Sequence, residues 1–71
     1  MLYILKIKGT KTIPDFVQIR DEQMTLRAYF RLSQQKIGLK KNNLEAETKG
    51  ITALLKTMPY GKIYKYYTNN E

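Results

Sequence analysis

Apolar and polar residues alternate most regularly between Phe16 and Leu32. Val17 and Ile19 fall on one side of this stretch, and Phe16, Gln18 and Arg20 fall on the other. Past Asp21-Glu22, Met24, Leu26, Ala28, Phe30 and Leu32 alternate with Thr25, Arg27, Tyr29 and Arg31. A period of two is that of a half-buried strand. A two-residue connection at Asp21-Glu22 sets Ile19 opposite Met24 and Val17 opposite Leu26, so the apolar sets of both arms share a face. The pattern predicts an antiparallel hairpin with one buried face and one wet face rich in arginine and aromatics. A competing reading lets Asp21 cap a helix over Glu22–Gln35, a stretch of good helix formers. That helix would scatter Met24, Leu26, Ala28, Phe30 and Leu32 around its axis. On a strand they line up, so strand is adopted.

Leu2 to Lys8 reads as a first strand, with Tyr3, Leu5 and Ile7 on one side and Leu2, Ile4, Lys6 and Lys8 on the other. Gly9-Thr10 signals a turn, and Pro14 stands at the start of the second strand, where it costs no ladder bond. Ser33–Lys41 is a connection with room for a short extra strand. One helix is expected over Asn43–Thr57. Asn42 and Glu45 have capping-box spacing, and Leu44, Thr48, Ile51, Leu54, Leu55 and Met58 form its apolar stripe. Pro59 ends it. Gly50 is unfavourable by about 1 kcal/mol in a helix interior. It belongs to a line of small residues (Ala46, Gly50, Ala53, Thr57), read either as a tolerated weak spot or as a close contact with the sheet or a partner subunit. Lys62–Thr68 reads as a tyrosine-rich last strand whose facing is ambiguous. Residues 69–71 read as a frayed tail after a single domain over 1–68. The expected fold is α+β, a small antiparallel sheet in the order β-β-β-α-β with one amphipathic helix on one face.

A chain of 71 residues buries only about 60% of the surface its unfolded form exposes. It contains neither cysteine nor histidine, which removes disulfides and the usual zinc ligands as staples. Good packing or self-association remains, so a homodimer is expected. Thirteen Lys and Arg against six Asp and Glu give a net charge of +7, a field that favours anionic partners. The apolar opening Met1–Leu5 is too short for a signal core or a membrane span. A cytoplasmic location and no membrane partner are the corresponding expectations.

Catalysis is poorly provided for, since the commonest general base and the best nucleophile are missing. Ser33 is the only serine and has no evident base. Asp21 and Glu22 suit a turn, and the isolated glycines make no phosphate-binding loop. No enzyme activity, cofactor or metal is expected. The binding reading is better supplied. Arg20, Arg27 and Arg31 share the wet face with Phe16 and Tyr29, with Lys6 and Lys8 extending it from the first strand. Cations neutralise phosphates while aromatic rings stack on bases, which favours single-stranded nucleic acid. The alternative is a homodimeric interaction or structural module, with Phe16, Gly50, Tyr64 and Tyr66 as interface residues, since sheet edges invite pairing and tyrosine is enriched at interfaces. A winged helix-turn-helix, available only on the helical reading of 21–35, fits the spacing around Gly38 poorly. The ribonucleoprotein sheet motif, the KH loop and the cold-shock aromatic pattern are absent as contiguous sequence.

Overall fold

The computed structural model describes residues 1–68. Four strands, β1 (Leu2–Ile7), β2 (Phe16–Arg20), β3 (Leu26–Arg31) and β4 (Ile63–Tyr66), form one antiparallel sheet in the order β3-β2-β1-β4. Two helices lie between β3 and β4: α1 (Gln35–Lys41), entered through a 3₁₀ turn at Leu32–Gln34, and α2 (Thr48–Thr57), entered through one at Glu45–Glu47. The α+β class, the meander and the last strand at an edge agree with the sequence reading. The expected single helix is two, and the proposed 69–71 tail lies outside the described residues.

The hairpin forms as strands, but its arms meet elsewhere. Asp21 and Thr25 close a loop of Glu22, Gln23 and Met24: the Asp21 N–H donates to the Thr25 carbonyl at 3.0 Å and the Met24 N–H to the Asp21 carbonyl at 2.9 Å. The Asp21 carboxylate also accepts the Gln23 and Thr25 N–H groups, each at 2.9 Å. Met24 sits at φ 64°, the left-handed position that follows the turn in a three-residue hairpin loop. The register is consequently Val17↔Phe30 and Ile19↔Ala28, and it slips by one between Ile19 and Arg20, so that Arg20 pairs with Leu26. That slip turns Leu26 out of the core, where it is 48% exposed, and Met24 is exposed in the loop. Val17, Ile19, Ala28 and Phe30 keep the inward facing expected of them.

Both helices cover the face of Leu2, Ile4, Val17, Ile19, Ala28 and Phe30, with Leu39, Ile51, Leu55 and Met58 completing the core. Each fully buried aliphatic side chain here contributes about 1.5–3 kcal/mol gross. At Gly38 a Cβ would run into the Phe30 ring, so this glycine lets α1 lie directly on β3. The proposed capping box is replaced by a helix end. Asn42 caps the C-terminus of α1, Asn43 takes φ 61°, and the Leu44 and Asn43 N–H groups donate back to Leu39 (2.8 Å) and Lys40 (3.3 Å). This is the Schellman closure, in which asparagine substitutes for glycine at the left-handed residue.

Candidate functional site: the open sheet face

Residues paired across an antiparallel ladder point to the same side, so the register defines the face the helices leave uncovered. It carries Tyr3, Leu5 and Ile7 from β1, Phe16, Gln18 and Arg20 from β2, Leu26, Tyr29 and Arg31 from β3, and Ile63 and Lys65 from β4. Phe16 pairs with Arg31 rather than with Arg27, and its ring stacks on Tyr29 with centroids 4.8 Å apart and planes 14° from parallel. Tyr29 remains 53% exposed and Ile63 58%. The two rings form one aromatic step with an outer surface open to solvent.

The arginines fall into two groups. At the hairpin end, the Arg20 guanidinium donates to the Met24 carbonyl at 2.9 Å and Arg27 lies 3.6 Å from the Asp21 carboxylate. Arg27 is the residue the register slip leaves without a cross-strand partner. At the other end Arg31 is exposed beside Phe16 and makes no ion pair among the described residues. Not one of the four strands contains Asp or Glu.

The two lysines assigned to this face lie elsewhere. Lys6 shares the covered side with Leu2 and Ile4 and is only 7% exposed; its Nζ donates to the Leu55 carbonyl at 2.7 Å. Leu55 belongs to the last turn of α2, whose carbonyls have no intrahelical donor, so the ammonium closes the helix end where a cation also suits the macrodipole. Lys8 lies past the end of β1, its Nζ 4.9 Å from the Tyr60 ring centroid, with the Lys6 Nζ 4.5 Å from the same ring. Tyr60 in turn donates its hydroxyl to Asp15 Oδ2 at 2.7 Å, and Gly9 N–H donates to Oδ1 at 2.7 Å. The Tyr60 hydroxyl bond, then the Gly9 bond, hold the Asp15 carboxyl below its ordinary value, and the Tyr60–Asp15 bond pushes the Tyr60 phenol up. This cluster ties the 9–15 loop to the lead-in of β4.

Of the residues assigned to an interface, Phe16 is on the open face, and Gly50 and Tyr66 meet each other. A Cβ at Gly50 would strike the Tyr66 hydroxyl, which donates to the buried Glu47 carboxylate at 3.0 Å. Burial, then the Glu47 bond, raise the Tyr66 pKa. Gly50 thus admits a side chain of the sheet. Tyr64 pairs with Ile4 on the covered side of β4 and stays partly exposed at the margin. Among the described residues no group of three carboxylates, histidines or cysteines is placed to hold a metal, and no helix is long and apolar enough to cross a membrane. Compared with protein-family models, with curated proteins and with solved structures, the chain finds no match.

Proposed function

We propose that this protein is a non-catalytic module that binds single-stranded nucleic acid on the open face of its sheet. One observation carries the reading: a solvent-facing aromatic step, Phe16 on Tyr29, has Arg31 beside it and shares its face with Arg20 and, across the sheet on β4, Lys65, on strands devoid of carboxylates. An unpaired base stacks on such a ring with a gain of about 1–3 kcal/mol, and neighbouring guanidinium groups neutralise its phosphates. A duplex hides its base faces and offers the step nothing to stack on. The cytoplasm, where single-stranded RNA is abundant, is the proposed setting.

A second copy of the chain is the other occupant suited to the face, through Leu5, Ile7 and Ile63. Face-to-face pairing would bring two sets of Arg20, Arg31 and Lys65 into one interface with no strand carboxylate to offset them, a like-charge cost that an anionic ligand avoids. The test is titration of labelled single-stranded and duplex oligonucleotides at two salt concentrations, with light scattering to follow the oligomeric state. Single strands should bind tighter than duplex, with affinity falling as salt rises. Tyr29→Ala should weaken binding by about 5- to 150-fold, the equivalent of 1–3 kcal/mol. Equal affinity for duplex, or no binding at low salt, defeats the proposal. A salt-stable dimer whose interface contains Tyr29 would put the second copy in its place.

A further inference from the structure

We infer that a bound single strand leaves the sheet over the β3 edge and reaches the C-terminal end of α1, where Lys41 supplies a phosphate contact beyond that of Arg31. The inference rests on the nucleic-acid reading and extends its site onto the helical layer. A cavity of about 280 Å³ opens beside the aromatic step, lined by Phe16, Tyr29, Arg31, Ile37, Lys41 and Asn42 among others. The missing side chain of Gly38 brings α1 against Phe30, and so brings Lys41 to the same cavity as Arg31.

The cavity's chemistry matches that of one nucleotide. Its walls hold two cations and no carboxylate, and neither Arg31 nor Lys41 has an ion-pair partner among the described residues. Its apolar wall, Tyr29 and Ile37, is exposed. The volume lies just below the range for ligand pockets, roughly 300–1,000 Å³, which suits a single flipped-out unit rather than a duplex edge. A helix C-terminus ordinarily repels a phosphate. Here the Schellman closure satisfies the Leu39 and Lys40 carbonyls, and Lys40 and Lys41 in the last turn reverse the local sign.

The probe is a ten-nucleotide oligothymidylate, titrated over a salt series against wild type, Lys41→Ala, Arg31→Ala and the α2 control Lys56→Ala, with circular dichroism confirming the fold of each. Losing one phosphate contact should reduce the slope of log affinity against log salt by about 0.7 for a single strand. The expected result is that reduction, with weaker binding, in Lys41→Ala and in Arg31→Ala, while Lys56→Ala keeps the wild-type slope. If Arg31→Ala loses affinity but Lys41→Ala does not, the strand stays on the sheet; the path is wrong and the functional proposal stands. Equal losses in Lys41→Ala and Lys56→Ala signal a general charge effect and overturn the path as well. No binding by wild type removes both.

Discussion

Lys6 shows how one side chain changes role between a pattern and a packed structure. In a strand of alternating residues its charge argues for solvent, yet its four-carbon stem crosses the core edge and its ammonium meets the Leu55 carbonyl. Burying that charge is tolerable because it is hydrogen-bonded at a helix end of complementary sign. Lys6→Met keeps the stem and deletes the donor, leaving a buried carbonyl unsatisfied. Chemical denaturation should register a loss of about 1–3 kcal/mol, and oligonucleotide affinity should not change. A fall in affinity with unchanged stability would return Lys6 to the binding face. Gly50 carries the complementary lesson: its cost in helix propensity is the condition for Tyr66 to reach Glu47 beneath α2.

The hairpin and the helix boundary show what elements hide in their own sequence. Alternation from Phe16 to Leu32 identified both strands, and the inward set Val17, Ile19, Ala28 and Phe30, because a period of two survives an even shift in pairing. The turn did not survive, since nothing in Glu22-Gln23-Met24 announces a left-handed residue: methionine carries the Cβ that makes this region costly, by about 1–2 kcal/mol. Met24→Gly should therefore raise stability, by about 0.5–1 kcal/mol in urea denaturation once glycine's greater unfolded-state entropy is set against the relief. A loss would mean that Met24 is not left-handed in solution. Asn42-Asn43 misleads for a different reason. Asparagine is favoured both as an N-cap and at the left-handed C′ position, so the same pair fits the start of one helix and the end of another. Only the carbonyls of Leu39 and Lys40 behind it decide which.

For the molecule as a whole, two helices on one face of a four-stranded sheet leave the other face bare, and none of the four strands carries an acidic residue. Asp15 and Tyr60 also give stability a dependence on pH at both extremes. The Asp15 carboxyl titrates lower folded than unfolded, so its contribution is present above the unfolded carboxylate value near 4 and is lost as pH falls through the depressed one. The Tyr60 and Tyr66 phenols titrate higher folded than unfolded; their contributions are present below about 10 and are lost as pH rises through the raised values. Urea midpoints of Tyr60→Phe measured across pH should show a shallower acid limb than wild type, with the alkaline limb reduced but retained through Tyr66. An unchanged acid limb would show that the Tyr60–Asp15 bond is not what holds the carboxyl down.

From residue order alone came the α+β class, the strands of the hairpin, the last strand and its tyrosines, and the basic-aromatic character of one sheet face, with Arg20, Tyr29 and Arg31 on it. These follow from periodicities that are local and survive small errors in register. Three-dimensional packing settled the loop at Glu22–Met24, the division of the helical segment at Asn42-Asn43, the withdrawal of Lys6 beneath α2, and the placing of Arg31 and Lys41 on the wall of one cavity. Each of those depends on a contact between residues distant in the chain or on one left-handed backbone position, and no alternation of side chains encodes either.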